Sequence, residues 1–453
     1  MQLIKNEIVN IQLTDLGSFG EGVGKTDGFT VFVPGGLPGE LVEAKVTVSK
    51  KNYAVAQLMQ VLKQSPYRVS PPCTVYKDCG GCQLQHLSYQ AQLEIKKKKV
   101  IDALERIGHV QNPPVKQTLG ALDPWHYRNK MLFAVDNEGE KAAIGCYARA
   151  SHNVVDAPPC LIQQVENNVI MQVVRDWMRD YKVPAYDEHT AQGLIRNVLG
   201  RVAPNTGQVM AGIVTVNKPV AFLPKLVQRL KEKLPNLTSI VQLTREGEGN
   251  IVLGGRQQIL WGNSRITGEI NDLLFNISAK SFFQVNSEQV RVLYGKALQL
   301  ANLQNEETVI EAYCGTGTIS MIFAQKAKKV YGLELLKDAV SDAKENAALN
   351  NCANIEFIQG DVVLTLPQLL KAGVKPDTVV VDPPRAGLAA QVTKAIIEAR
   401  PKKIVYISCN PASLARDIAL MSSNYNLKEA WPVDMFPMTA HVESVCLLTR
   451  NEK

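Results

Sequence analysis

Along the first sixty residues apolar and polar positions alternate with a period of two. The runs at 8–13, 29–33 and 41–48 are separated by glycine turns at Gly17, Gly20, Gly22, Gly24, Gly28, Gly35, Gly36 and Gly39, spaced too closely for helices. Residues 1–60 therefore predict a small all-β unit, and a five-stranded, OB-like barrel suits that length. Ser65, Pro66, Pro71 and Pro72 then break the pattern as a linker. Ser88 is placed to cap a helix over 89–107, with Ala91, Ile95, Leu104 and Ile107 sharing an approximate face and Gly108 as the stop. Between 124 and 270, hairpin-like runs at 130–135, 208–216, 239–243 and 250–253 surround a helix over about 165–181, which predicts an α+β unit.

From Thr308 the rhythm changes. The runs TVIEAY, KVYGLEL, IEFIQGD, DTVVVDPP and KIVYISC alternate with amphipathic helical stretches, the pattern of a doubly wound, mostly parallel α/β sheet. There is no internal repeat and no low-complexity segment.

A chain of 453 residues, 45% of them hydrophobic, is long enough for two or three domains with their own cores. No stretch reaches the roughly 18–20 apolar residues of a membrane helix, and the N-terminal MQLIKNEIVNIQL alternates where an export signal would carry an apolar block. Nine scattered cysteines are not the framework of a small secreted domain; a reducing cytoplasm is expected, where cysteines serve metal binding, catalysis or packing. The net charge of +7 is unevenly placed. Basic and acidic side chains number five and six in residues 1–60, nine and five in 61–125, seventeen and thirteen in 126–270, and nineteen each in 271–453. The surplus in the middle of the chain hints at a polyanionic partner. Lys96, Lys97, Lys98 and Lys99 go round their helix, so a solvated face is their expected state.

In a doubly wound sheet, ligands bind beyond the carboxyl ends of the strands. There the first strand runs into Tyr313-Cys314-Gly315-Thr316-Gly317-Thr318, the second ends at Glu334, the third at Asp361 and the fourth at Asp382-Pro383-Pro384-Arg385. Glu334 stands twenty-three residues after Glu311, about where a carboxylate reaches ribose hydroxyls. Ser320 replaces the third glycine of a dinucleotide fingerprint, which argues against a pyrophosphate and for a smaller adenosine ligand such as S-adenosylmethionine. The fifth strand ends in Ser408-Cys409-Asn410-Pro411, a turn on which a thiol, its pKa lowered by nearby helix N-termini, could act as nucleophile. Cys146, Cys314, Cys352 and Cys446 are expected to serve packing. Cys73, Cys79 and Cys82 form C-x5-C-x2-C with Gly80 and Gly81 in the turn, and Cys160 is the natural fourth ligand; spacing leaves zinc and an iron–sulfur cluster both open.

Together, the glycine turn at 313–317, Asp382-Pro383-Pro384-Arg385, Ser408-Cys409-Asn410-Pro411 and His441-Val442-Glu443 resemble the RNA uracil-C5 methyltransferase family. With the barrel and the cysteines, the chain is similar to the 23S ribosomal RNA branch, of the Gram-positive type that modifies more than one uridine. The resemblance implies a TRAM barrel (1–60), a central α+β domain (66–88 and 124–270) and an S-adenosylmethionine-dependent catalytic domain (89–123 and 271–453). It implies Cys409 as nucleophile and Glu443 as base. It places Gln284, Tyr313, Thr318, Glu334, Asp361 and Asp382 at the cofactor, and a [4Fe-4S] cluster on Cys73, Cys79, Cys82 and Cys160. Arg128, within Tyr127-Arg128-Asn129-Lys130, would touch the target nucleotide, and Phe282 would wall the flipped base. The partner implied is 23S rRNA, with much of the phosphate contact in the basic middle of the chain and no obligate protein partner. A tRNA-directed uracil methyltransferase, a purine amino-group methyltransferase and a non-catalytic RNA-binding scaffold are the competing readings. The purine enzyme leaves Cys409 without a role and expects an aromatic residue where Arg385 stands.

Overall fold

The computed structural model describes residues 3–138, 141–245 and 253–451. The N-terminal alternation folds into β1 (Ile8–Leu16), β2 (Gly22–Thr26), β3 (Phe29–Val33), β4 (Leu41–Ser49) and β5 (Tyr53–Lys63), closed in the order β1-β2-β3-β5-β4 with β3 and β5 parallel. Alternate residues such as Ile11, Leu13, Val31, Val33, Val42 and Val46 fill the interior. The following linker is anchored: Arg68 forks both oxygens of the fully buried Glu40, at 2.6 and 2.7 Å.

Helix α1 (Tyr89–Arg106) forms where expected, but its buried side is Gln92, Lys96, Val100 and Leu104 with Ala91, while Ile107 is exposed. Two polar residues replace part of the expected apolar face because each finds partners inside. Lys96 pairs with Asp434 at 2.5 Å, both side chains essentially inaccessible, so the solvated lysine face does not hold at this position. Lys98 bridges Asp15 and Asp102, and Lys99 donates to the carbonyls of Ser18 and Ala440. Ser88 occupies the cap position without a side-chain cap bond.

The central sheet contains β6 (Lys130–Glu138), β7 (Lys141–Tyr147), β8 (Val154–Asp156), β9 (Ile195–Ala203), β10 (Gln208–Thr215), β11 (Leu237–Thr244) and β12 (Arg256–Gly262), ordered β12-β11-β10-β9-β6-β7-β8. Helix α2 (Val165–Asp180) lays Trp177 into its core, and α3 (Leu223–Lys233) makes the crossover between the parallel β10 and β11. Of the run expected at 250–253, only Leu253 lies within the described residues. A hairpin of β13 (Arg265–Ile270) and β14 (Leu273–Ser278) turns at Asn271 and Asp272, both at positive φ, and packs into the core of the C-terminal domain.

After α4 (Ser287–Ala301) come β15 (Thr308–Ala312), α5 (Thr318–Ala324), β16 (Lys329–Glu334), α6 (Lys337–Leu349), β17 (Ile355–Gln359), α7 (Val362–Lys371), β18 (Thr378–Val381), α8 (Ala390–Ala399), β19 (Lys403–Ser408) and α9 (Pro411–Met421). The chain closes with β20 (Tyr425–Val433) and β21 (Glu443–Arg450), which the α/β rhythm did not announce. The sheet order is β17-β16-β15-β18-β19-β21-β20, parallel except for β21, which enters antiparallel between β19 and β20. The order reverses between β15 and β18, and the crevice at that switch faces the carboxyl ends of the strands. Among the described residues no helix is long and apolar enough to cross a membrane.

Candidate active site and cysteine cluster

The glycine turn after β15 is built from residues in the left-handed region: Tyr313 at φ 67°, Gly315 at 54° and Gly317 at 80°. A side chain at Gly317 would stand 2.7 Å from the Phe357 ring, so glycine is required there. At Gly315 an added Cβ meets nothing within 4 Å, which leaves that face open to a ligand. Glu334 accepts the amide of Gly315 at 3.0 Å and that of Leu336 at 2.8 Å, fixing its carboxylate at the mouth of the turn. Asp361 caps α7 by accepting from Val363. The Tyr313 phenol is pushed up by desolvation and then by the charge of Asp361. Thr318 opens α5 directly after Gly317. Two carboxylates over an open glycine turn suit hydroxyl donors and repel a pyrophosphate, so the donor set fits an adenosine ligand without phosphate. Ser320 donates to the buried Glu311, whose carboxyl desolvation raises to about 8. Cys314 is buried in the core, as expected of a packing residue.

Cys409 lies on the turn between β19 and α9, shaped by Ser408 Oγ, which accepts from the Asn410 amide, and by Asn410, which caps α9. Its thiol is raised to about 11, chiefly by burial and then by Glu443 and Asp382, with Arg385 opposing. The expected lowering of this pKa is thus corrected: desolvation and two carboxyls outweigh the guanidinium of Arg385 and a backbone hydrogen bond. Glu443 is buried, and desolvation followed by the charge of Asp382 lifts its carboxyl to about 8. Asp382 is raised to about 7 by desolvation. The register of β19 and β21 pairs Ser408 with Ser444, so one step further Cys409 stands abreast of Glu443. Gln284 donates to the Tyr294 hydroxyl at 3.4 Å, and desolvation followed by the charge of Asp382 raises the Tyr294 phenol, which joins Gln284 to the same crevice.

The segment 127–130 is locked onto 284–287. Asn129 donates its amide to Val285 O at 2.8 Å and its side chain to Gln284 O and Ser287 Oγ, both at 2.9 Å. Arg201, buried on β9 opposite Lys130, donates to the carbonyls of Ala279 and Ser281. These bonds hold out Phe282, which is 73% exposed, while Phe283 is buried against Phe275. Lys130 is pulled down to about 7 by desolvation and by repulsion from Arg201 and Arg128. The His441 pKa is lowered by desolvation and then by Arg385, Lys99, Lys96 and Arg128, so basic groups from distant parts of the chain converge near the mouth of the crevice. Arg201 and Tyr294 carry no local signal in the sequence, because their roles rest on long-range partners, and the same holds for the part Asn129 plays within its motif.

Cys73, Cys82 and Cys160 gather around Tyr76, Tyr127, Ile162 and Met438, and Cys82 is raised to about 12 by desolvation and then by the charges of Cys160, Cys79 and Cys73. Gly81 donates its amide to Cys79 Sγ at 3.4 Å. Four free thiols of soft character in an apolar pocket suit zinc or an iron–sulfur cluster. As the side chains stand, among the described residues no three His, Cys, Asp or Glu groups are arranged to hold a single ion. Cys146, expected to serve packing alone, stands beside this group, since a side chain added at Gly81 would lie 3.5 Å from the sulfurs of both Cys146 and Cys79, and its thiol holds the Cys79 pKa down. Cys352 and Cys446 pack in the C-terminal cores.

The sequence profile described as tRNA (uracil-5-)-methyltransferase matches residues 225–362 and 368–451, and the TRAM domain profile matches residues 3–59. An RNA methyltransferase of Halalkalibacterium halodurans is 43% identical over 445 residues, 98% of this chain and 97% of its own. One from Listeria innocua serovar 6a is 44% identical over 448 residues, 99% and 98% of the two chains. The crystal structure of the Pyrococcus abyssi tRNA (uracil-54, C5)-methyltransferase in complex with S-adenosyl-L-homocysteine superposes with a TM-score of 0.79 at 27% identity, covering 97% of this chain and 100% of that one.

Proposed function

The chain belongs to the tRNA (uracil-5-)-methyltransferase family and carries a TRAM domain, and on that footing we propose that it methylates C5 of specific uridines in 23S ribosomal RNA through a covalent Cys409 adduct. It is an RNA methyltransferase using S-adenosylmethionine. The observation that carries the mechanism is the placement of Cys409, just after β19, one register step from Glu443 at the start of β21, on the edge of the sheet where β19 ends.

Uracil C5 is a weak nucleophile until sulfur adds at C6. Cys409 loses its thiol proton to solvent, its Sγ bonds to C6, and the C5–C6 π pair moves toward the C4 carbonyl as an enolate, which makes C5 nucleophilic. S-adenosylmethionine supplies the electrophilic methyl group. Glu443 then takes the C5 proton, the C–H pair re-forms the C5–C6 double bond, and the C6–S pair returns to sulfur as 5-methyluridine leaves. A base raised to about 8 is well matched to this proton. Gln284, Tyr313, Thr318, Glu334, Asp361 and Asp382 hold the methyl donor. Arg128 contacts the target nucleotide, and the exposed Phe282 forms a wall for the flipped base.

The preference for 23S rRNA rests on resemblance to the branch that combines a barrel with this cysteine set. Cys73, Cys79, Cys82 and Cys160 would hold a [4Fe-4S] cluster of structural role, because methyl transfer from a sulfonium needs no electron. The division into 1–60, 66–88 with 124–270, and 89–123 with 271–453 is supported by α1, whose Val100 and Leu104 share the core of the C-terminal sheet. The β13–β14 hairpin favours moving the last boundary from 270 to about 264. A cytoplasmic enzyme is the setting this substrate requires.

A tRNA substrate is favoured by one observation, the whole-chain likeness to the Pyrococcus tRNA enzyme. RNA containing 5-fluorouridine decides the chemistry: native protein with methyl donor traps a covalent complex and Cys409→Ala does not. Native protein that methylates RNA without trapping would overturn the adduct. Mapping 5-methyluridine in rRNA and tRNA from cells with and without the gene decides the substrate.

A further inference from the structure

We propose that Gln92 positions the catalytic base, by clamping the strap 434–442 to the cysteine loop so that the intact cluster sets the placement of Glu443. This rests on the proposed reading of Glu443 as the base and of Cys73, Cys79, Cys82 and Cys160 as ligands of a cluster.

The strap joins β20 to β21 and ends at Glu443. At its middle Met438 adopts φ 66°, a left-handed conformation that a bulky residue does not choose by itself. Both of its peptide groups are held from outside the strap. Its amide donates to Gln92 Oε1 at 3.1 Å, and its carbonyl accepts the amides of Gln83 at 3.0 Å and Leu84 at 2.9 Å, the two residues that follow Cys82. Gln92 Nε2 closes the loop by donating to Leu84 O at 3.1 Å and Leu87 O at 2.8 Å. Gln92 is fully buried, and the Met438 side chain packs beside Cys82. Five residues separate Met438 from Glu443, and Lys96 pins the strap's other end at Asp434 and Phe436 O. A cysteine loop that loses its bound group releases Gln83 and Leu84, and the left-handed turn at Met438 then lacks two of its three bonds. The cluster thus acts on the chemistry through backbone geometry rather than electron transfer.

The test uses the metal-loaded protein purified anaerobically, the same protein after chelation, and the variant Gln92→Met. Amide exchange should quicken across 438–443 in both the chelated protein and the variant, while α8, remote from the strap, keeps its protection. With 5-fluorouridine RNA, Gln92→Met should form the adduct at the native rate. With ordinary RNA it should release product roughly 100-fold more slowly, the methylated adduct accumulating, as expected for a base misplaced by about 1 Å. The inference is overturned if exchange across 438–443 is unchanged after chelation, or if adduct formation and product release fall in parallel. Native protein that forms no adduct with 5-fluorouridine RNA overturns the reaction and with it the role of Glu443 as base. The exchange comparison still decides separately whether the clamp exists, and it does so on native protein even where the variant fails to fold.

Discussion

Cys409, the first residue after β19, and Glu443, the first residue of the antiparallel β21, lie one register step beyond the Ser408–Ser444 pair, although the two are thirty-four positions apart in the chain. A thiol raised to about 11 and a carboxyl raised to about 8 face the same crevice. Burial raises both, and the charge of Glu443 adds to the cost of ionising Cys409, so the resting site holds both protonated near neutral pH, and catalysis must begin by removing protons.

Glu443→Gln tests the base. For native enzyme, single-turnover product release should rise with pH and level off above about 8, because only the ionised carboxylate accepts the C5 proton. The variant should lose that limb and accumulate methylated adduct on ordinary RNA. A variant that keeps both the limb and rapid release would remove Glu443 from the mechanism.

The same substitution should change stability in a definite direction. A carboxyl whose folded pKa lies above its unfolded value favours the fold below the unfolded pKa of about 4.5, and that advantage drains away as pH rises toward 8. Glu443→Gln should therefore gain stability over native protein on going from pH 5 to pH 9, by roughly 4 kcal/mol at most. Urea unfolding at the two pH values measures it, and a pH-independent difference would contradict the raised pKa.

Lys96→Met leaves Asp434 buried without its cation and should destabilise the protein by about 3–5 kcal/mol. The double variant Lys96→Met with Asp434→Leu should recover most of this in denaturant melts. A single variant as stable as native protein would mean that the buried pair is readily replaced by water.

Glu334→Ala should weaken S-adenosylhomocysteine binding about 10- to 100-fold in calorimetric titration, since charged hydrogen bonds are worth about 1.5–3 kcal/mol. Unchanged affinity would place the ribose elsewhere than at the carboxylate that now holds the Gly315 amide.

Replacing Arg128 by Ala should lower RNA affinity across sequences and reduce the slope of log affinity against log salt by about 1. Lys130→Ala should reduce the slope by less, because desolvation and then Arg201 and Arg128 pull Lys130 down to about 7 and leave it partly charged near neutral pH. An unchanged slope in both would move the phosphate contacts to other parts of the chain.

Much of this molecule was readable from the chain alone. Period-two runs between glycines foretold the barrel, the strand–helix rhythm from Thr308 foretold the α/β sheet, and each strand end named the residue it delivers, because turns and periodicity are set by neighbours in sequence. Tertiary structure decided what depends on distant partners. Lys96 was read as one of four solvated lysines and lies buried, because Asp434 arrives from a strap more than three hundred residues later. Cys146 is expected to serve packing and stands beside Cys79, because strand β7 runs beside the cysteine loop. The Cys409 turn suggests a lowered thiol and the thiol is raised instead, chiefly because packing buries it and then because β21 and β18 bring the charges of Glu443 and Asp382 near it. Local sequence specifies which chemical groups the chain carries and on which turns; strand register and burial, which arise only when remote segments pack, determine their neighbours and hence their charge.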